Sequence, residues 1–323
     1  MPSHEDLFRP LRVRHVELPN RIVAPPMVQL RSITSPEGIA WYRRLASGGA
    51  GLVIVESTGI PRFGDDLTVR NMAPLVNAIH SAGAKAAIQL FPIQFGGDAD
   101  VDKLTHQQIQ QIIRQYGVAA CTCRDAGFDG VEPHGAHGFL LNQFFMPDKN
   151  HRQDEFGGTP ENRTRLAVRI VEEIRKAAGD GLLVLYRHTP VAEAYTVEDS
   201  LELARRLIDA GLDILDVSPA RKDSVADLAA PFKARLPVHV IAVNGMEDPQ
   251  QACQALRDGR CDLIAVGRQL IADATWPRKV RQGRLAEVHR CTKCEKGCFG
   301  NLDADKPVAC VLWTEDEVAS FLG

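Results

Sequence analysis

The sequence predicts a single (β/α)8 barrel, an α/β fold, followed by a short cysteine-rich segment. Eight short apolar runs recur along the chain, and each is followed by a helical pattern. Strict alternation of strand and helix is typical of parallel α/β folds, and eight such units close into a barrel. A doubly wound sheet is the alternative, but no Gly-x-Gly-x-x-Gly motif follows the first strand.

The eight apolar runs have the composition of buried parallel strands. Most are rich in Val and Ile and nearly continuous in apolar residues, as expected of strands covered on both faces. They are Arg21–Pro26, Gly51–Glu56, Ala84–Leu90, Phe128–Pro133, Leu182–Arg187, Ile214–Ser218, Val238–Val243 and Asp262–Gly267. Helices with one apolar face are predicted at Pro160–Ala178, Val197–Ala210 and Asp248–Asp258. Thr196 or Asp199 is the candidate N-cap of the second helix.

Composition and charge describe an ordinary globular protein. The 323 residues are 45% hydrophobic and 24% charged, and the formal net charge of −3 gives no electrostatic basis for binding nucleic acid or an anionic membrane. No apolar run reaches membrane-spanning length, and the first ten residues lack a signal-peptide pattern. We therefore expect a cytoplasmic protein whose eight cysteines are not disulfides. The sequence leaves a homo-oligomer open.

Residues suited to binding and catalysis follow the predicted strands, at the end of a barrel where active sites lie. They are Pro25, Pro26 and Met27 after strand one, Gln89 at strand three, His134 and His137 at strand four, Arg187 and His188 at strand five, Asn244 and Gly245 after strand seven, and Gly267 and Arg268 at strand eight. The loops after strands seven and eight are the usual phosphate position in barrels. Gly267 and Arg268 therefore predict a phosphate site, with a turn and a surface arginine as the alternative.

The histidine pair admits two interpretations of equal weight from the residues alone. His134 and His137 stand three residues apart, just past a strand. They are either structural histidines or a metal pair, or they are two donors that polarise a substrate carbonyl or nitro oxygen.

Four cysteines near the end of the chain have the spacing C-x2-C-x3-C-x11-C. They are Cys291, Cys294, Cys298 and Cys310, and the spacing favours a [4Fe–4S] cluster over a structural zinc ion. We therefore divide the chain into a barrel, residues 1–284, and a cysteine-rich segment, residues 285–323. The other thiols are expected to pack in the core; they are Cys121, Cys123, Cys253 and Cys261.

Long strings of this sequence resemble the old yellow enzyme family of FMN oxidoreductases, essentially over the whole chain. The strings are Leu18-Pro19-Asn20-Arg21-Ile22-Val23-Ala24-Pro25-Pro26-Met27, Asp129-Gly130-Val131-Glu132-Pro133-His134-Gly135-Ala136-His137-Gly138-Phe139-Leu140-Leu141, Phe156-Gly157-Gly158, Glu161-Asn162-Arg163 and Val266-Gly267-Arg268. The resemblance implies an enzyme that transfers hydride from FMN to the β-carbon of an activated alkene.

The resemblance also implies roles for the matching positions. His134 and His137 would hold the substrate oxygen over the flavin, and Arg187 would stabilise negative charge on the reduced flavin. The other cofactor contacts would be Ala24, Pro25, Pro26 and Met27 beside the flavin, Gln89 at its pyrimidine edge, and Asn244, Gly245, Gly267 and Arg268 at its phosphate.

The sequence departs from the family pattern at four places. Phe139 stands where the family often has a proton-donating Tyr, so Tyr195, His188 or water would have to supply the proton. Val28 stands where a Thr or Cys often contacts the flavin, and Pro92 where a His is frequent. The stretch 91–105 is short, which predicts an open site.

The barrel with its cysteines is similar to part of bacterial 2,4-dienoyl-CoA reductase and, more distantly, trimethylamine dehydrogenase. Because the sequence ends at Gly323 without their dinucleotide-binding domains, we expect a separate electron donor such as a ferredoxin or a flavoprotein reductase, with NAD(P)H as the alternative. The first hypothesis is an ene-reductase. The second is an amine or alkene dehydrogenase, and the third is a non-catalytic flavin electron-transfer subunit with a structural zinc ion.

Overall fold

The computed structural model describes residues 4–92, 100–219 and 228–322, and these form a closed barrel of eight parallel strands with helices around it. The strands are β1 Leu11–Val13, β2 Val16–Leu18, β3 Ile22–Ala24, β4 Leu52–Gly59, β5 Lys85–Phe91, β6 Gly130–Gly135, β7 Leu183–His188, β8 Ile214–Val217, β9 His239–Val243 and β10 Leu263–Ala265. The barrel runs from β3 to β10 and closes where Ile264 of β10 pairs with Ile22 of β3. The predicted fold and all eight predicted strands are confirmed.

Twelve α-helices are described. They are α1 Pro36–Ser47, α2 Val69–Ser81, α3 His106–Ala126, α4 Leu140–Phe145, α5 Pro160–Ala178, α6 Val197–Asp209, α7 Ala230–Arg235, α8 Pro249–Arg257, α9 Arg268–Ala272, α10 Trp276–Arg281, α11 Phe299–Asp303 and α12 Glu315–Leu322. Both candidate cap residues of α6 take part in its start: the Thr196 hydroxyl accepts from the Asp199 backbone N–H, and the Asp199 carboxylate accepts from that of Thr196. This reciprocal arrangement satisfies two otherwise unpaired donors. No described helix is long and apolar enough to cross a membrane.

A hairpin of β1 and β2 closes the amino-terminal end of the barrel, and the sequence analysis did not predict it. Val13, Val16 and Leu18 are buried and pack in one cluster with residues inside the barrel, among them Leu52 and Ile214 near the starts of their strands. The hairpin therefore covers apolar side chains that the barrel alone would expose at this end.

Aspartates at the starts of strands connect the barrel at the same end. The Asp213 carboxylate accepts a hydrogen bond of 2.8 Å from the backbone N–H of Val184 and pairs with Arg175. The Asp262 carboxylate accepts one of 3.0 Å from Val240. Their role is structural, as expected at this face of a barrel.

The cysteine-rich segment packs against α1 and the loop after β3. The indole N–H of Trp313 donates to the carbonyl of Ile271 at 2.7 Å, and its ring lies 6.0 Å from that of Trp41. The Arg31 guanidinium donates to the carbonyls of Val308 and Phe321. These contacts help to bury Trp41 of α1. The division at residue 284 stays a prediction.

Candidate functional site

A cavity of about 230 Å³ opens at the carboxyl ends of the barrel strands. It is lined by Pro25, Met27, His137, Arg187, Ser218, Pro219, Val243, Asn244, Glu247, Ala265, Gly267, Arg268, Gln269, Cys291, Lys293 and Phe299. A larger cavity of about 440 Å³ adjoins it and shares Glu247, Gln269 and Cys291. Only the smaller one is lined by the ends of several barrel strands, where barrel enzymes carry their chemistry.

Seven of the predicted cofactor and catalytic residues line this cavity. They are Pro25, Met27, His137, Arg187, Asn244, Gly267 and Arg268. Five other predicted residues do not line it: Ala24, Pro26, Gln89, His134 and Gly245. Their assigned roles stay predictions.

A buried polar group lies inside the barrel beneath the site. The Gln89 amide donates to Glu132 Oε1 at 2.8 Å, and Arg187 Nη1 lies 3.5 Å from Asp216 Oδ2. Glu132 and Asp216 are fully buried, and burial raises the pKa of both carboxyl groups, that of Glu132 to about 8. Two carboxylates beside one guanidinium would leave a net buried negative charge, which favours the protonated form of one of the two acids.

Neither acid of this group was predicted from the sequence as a site residue. Each stands within an apolar strand run, Glu132 in β6 and Asp216 in β8. An acidic residue in the middle of a strand that is covered on both faces is the signal that could have revealed them.

The two histidine rings face one another, and burial favours their neutral form. Their rings lie 5.2 Å apart in an edge-to-face arrangement, and burial lowers the pKa of both, that of His137 to about 3. His134 Nδ1 accepts from the backbone N–H of Ala136 at 3.3 Å, so the hydrogen of its neutral ring is on Nε2. His137 Nε2 lies 2.9 Å from the Ser218 hydroxyl, and the oxygen of that hydroxyl accepts a hydrogen bond from Arg187 Nη2 at 2.9 Å.

Phe139 packs against His134 and Phe91. Its ring lies 5.2 Å from that of His134 and 5.1 Å from that of Phe91, in edge-to-face contacts. A phenyl ring therefore stands beside His134, at the position where the family pattern has a phenol. Val28 is 38% exposed and Pro92 is buried, while residues 93–99 of the predicted short stretch lie outside the described part of the chain.

Neither His188 nor Tyr195 lines the cavity, and their assignment as candidate proton donors stays a prediction. His188 is 1% exposed, and its Nε2 lies 2.8 Å from the Ser200 hydroxyl on α6. The Tyr195 hydroxyl donates to the carbonyl of Thr189 at 2.8 Å. Successive residues of a strand point to opposite faces, so Arg187 points into the barrel and His188 toward the helices.

The loops after β9 and β10 form one end of the cavity. Asn244 and Gly245 both have positive φ, 84° and 75°, which is the left-handed conformation that glycine adopts at little cost. The Arg268 guanidinium reaches Glu295 of the cysteine-rich segment, with 3.1 Å between Nη1 and Oε1. The predicted phosphate-binding arginine therefore has a carboxylate partner.

The four cysteines of the C-x2-C-x3-C-x11-C pattern line one small cavity, together with Arg268 and Ile271. Burial raises the pKa of the Cys310 thiol, and charge on the other three thiols adds to this effect. Cys294 is exposed, and the backbone N–H of Lys296 lowers its pKa. As they stand, the described residues include no group of three or more His, Cys, Asp or Glu placed to hold a metal ion.

The profile of the NADH:flavin oxidoreductase / NADH oxidase family matches residues 6–108 and 94–287. The chain belongs to this family. This match confirms the resemblance that the sequence strings showed. A cavity at the carboxyl end of the barrel strands is also where a barrel enzyme of this family would be expected to carry its site.

Three known proteins illustrate the similarity. An NADH oxidase of Thermoanaerobacter brockii is 31% identical over 93% of this chain and 54% of its own length. A cinnamate reductase of Clostridium sporogenes is 28% identical over 96% of this chain and 58% of its own. The structure of a 2-naphthoyl-CoA reductase superposes with a TM-score of 0.85 at 24% identity, over 96% of this chain and 57% of that one. The chain thus spans a little over half the length of these relatives.

Proposed function

We propose that this chain is an FMN-dependent oxidoreductase that reduces an activated C=C bond. The observation that carries the proposal is the neutral pair His134 and His137, positioned beside a cavity that Arg187 and Arg268 also reach. Neutral imidazoles donate hydrogen bonds without carrying charge, which suits them to polarise a substrate carbonyl. The similarity to a cinnamate reductase supports an α,β-unsaturated substrate.

The residues at the cavity fit FMN. Arg187 Nε is buried without a hydrogen-bond partner, although the other guanidinium nitrogens are engaged, so it is available to an acceptor on the flavin ring. Gly267 lies where an added Cβ would come within 3.2 Å of Met27 Sδ, so a side chain there would crowd this wall. Arg268 offers a guanidinium for the phosphate at the usual barrel position.

The protein's part in the reaction is binding and orientation. When bound, FMN supplies the two-electron redox chemistry. His134 and His137 hold the substrate oxygen, and Phe139 excludes water on one side without offering a proton. Because His188 and Tyr195 are buried away from the cavity, we assign the proton to solvent.

Phenol binding tests the histidine assignment. Phenols bound over an oxidised flavin give a charge-transfer absorption, so the FMN-loaded protein is titrated with a phenol. We expect the double variant His134→Ala/His137→Ala to keep FMN and lose this absorption. Unchanged phenol binding by the double variant contradicts the assignment, and a wild-type protein that binds no FMN refutes the proposed function.

The four thiols that surround one cavity support a [4Fe–4S] cluster, with zinc as the alternative. Cys291 lines both this cavity and the cavity of about 230 Å³ at the strand ends, the proposed flavin cavity, which would place the two groups next to each other. We further propose that electrons reach FMN through the cluster from a separate donor protein, which can approach at the exposed Cys294.

Metal analysis separates the alternatives. Protein purified without oxygen is expected to hold about four irons per chain with matching sulfide. Zinc without iron would make the segment structural and leave NAD(P)H as the direct donor. Whichever metal is found, the variant Cys310→Ala should lose it. The variant Cys253→Ala, which removes a buried thiol of α8, should retain it.

A further inference from the structure

Two ion pairs join the cysteine-rich segment to the loops at the end of the flavin cavity. Arg268 Nη1 lies 3.1 Å from Glu295 Oε1, and Lys293 Nζ lies 3.0 Å from Glu247 Oε1. The pairs are crossed, because the barrel supplies the cation of the first and the carboxylate of the second. The segment is therefore held by charge to the loop after β9 and to the first residue of α9.

Both cations of these pairs line the flavin cavity, and they come from different parts of the chain. Arg268 also lines the four-cysteine cavity, as does Lys293. Phe299 of the segment lies in the same wall, with its ring centroid 6.0 Å from the Arg268 guanidinium carbon. A phosphate held at the usual barrel position would thus meet one positive charge from the barrel and one from the segment.

The backbone of the segment is strained at the two paired residues. Lys293 and Glu295 have φ of 56° and 61°, in the left-handed region that residues with a Cβ rarely adopt. They flank Cys294, so the conformation that forms the two ion pairs also sets the position of a thiol. A metal bound by the thiols would hold this conformation in place.

We propose that Lys293 is a second phosphate ligand of the cofactor, so that the cysteine-rich segment completes the flavin site and links phosphate binding to metal binding. The inference rests on the FMN site proposed above. If a bound metal already fixes the segment, Lys293 loses less conformational freedom on binding phosphate than it would in the metal-free segment. Because linkage is reciprocal, bound FMN must strengthen metal binding by the same factor.

A comparison of FMN with riboflavin, which lacks the phosphate, isolates the role of Lys293. Dissociation constants are measured by flavin fluorescence on flavin-free protein. We expect Lys293→Met to weaken FMN binding about tenfold and to leave riboflavin binding unchanged, since one charge-assisted contact is lost. Lys296→Met is the matched control, because Lys296 lies in the same segment and lines neither cavity, and it should bind both flavins like the wild type.

Two results would overturn this assignment: unaltered FMN binding by Lys293→Met, or equal weakening of FMN and riboflavin, which indicates a general disturbance of the site. The conservative Lys293→Arg should retain most of the FMN affinity. A wild type that binds neither flavin instead refutes the FMN site itself, so the two failures are distinguishable.

The linkage is tested by repeating the measurement after a chelator has removed the metal. We expect the preference for FMN over riboflavin to fall in the wild type and to change little in Lys293→Met. A preference that is the same with and without metal, or a segment that takes up neither iron nor zinc, contradicts the linkage.

Discussion

The free energy of unfolding of the wild type is expected to fall as pH rises, because Glu132 loses a proton. The variant Glu132→Gln should not show this fall. Glu132 lies fully buried on β6, with the Gln89 amide on one carboxylate oxygen. Burial, and then the charge of Asp216, raises its pKa from 4.5 to about 8. Because the folded pKa lies above the unfolded one, the folded state binds the extra proton in this window, and stability falls as pH rises through it.

The magnitude follows from this pKa difference. Between the unfolded pKa of 4.5 and the folded pKa of about 8, stability falls by about 1.4 kcal/mol per pH unit, and the slope vanishes outside this interval. From about pH 6.5 to about pH 8.5 the wild type should therefore lose about 2 kcal/mol relative to Glu132→Gln. The lowered pKa values of His134 and His137 act in the opposite direction, mainly below about pH 6.5, and cancel in the difference between the two proteins.

Urea unfolding of the flavin-free protein at several pH values in this range measures the effect. Glu172→Gln, at a half-exposed position on α5, is the control and should follow the wild type. Parallel stability curves for the wild type and Glu132→Gln would refute the reasoning, because they would show that Glu132 keeps the same proton affinity in both states.

Three further substitutions test the site and its support. Ser218→Ala removes the hydroxyl between His137 and Arg187 and should lower the unfolding free energy by about 2 kcal/mol in urea denaturation, since buried partners are left unpaired; an unchanged midpoint contradicts that bridge. Trp313→Ala should cost about 3–5 kcal/mol and expose residues 285–322 to protease before the barrel is cut. Uniform digestion would show that the indole does not hold the segment. Gly135→Ala would place a Cβ 2.0 Å from the buried Tyr186 hydroxyl, so little folded protein is expected by circular dichroism, and a normal yield would contradict this packing.

The site depends on contacts between distant parts of the chain. Backbone bonding places Val308, two residues before Cys310, against the carbonyl of Gln29, two residues after Met27. The Gln269 amide oxygen accepts from the backbone N–H of Cys291 at 2.9 Å. The wall of the flavin cavity and the cysteine cavity are therefore connected by direct hydrogen bonds.

Much of the barrel could be predicted because the signal is local. Each strand is a short apolar run with its own turn, and α6 carries its own cap in Thr196 and Asp199. The hairpin of β1 and β2 was missed because its strands have only three residues each. Such short strands are stabilised by the barrel end that they cover rather than by their own pattern.

The sequence by itself determined the barrel, the order of its strands and the residues that follow each strand, since these depend on apolar periodicity and chain order. Only the tertiary structure decided which side of β7 points inward, and so separated Arg187 from His188. It also decided that Glu132 and Asp216, which are 84 residues apart in the sequence, lie close together in space. The contact between Lys293 and Glu247 was likewise decided by the tertiary structure. The physical reason is that barrel closure fixes the orientation of every strand, and this is a long-range property that no local pattern contains.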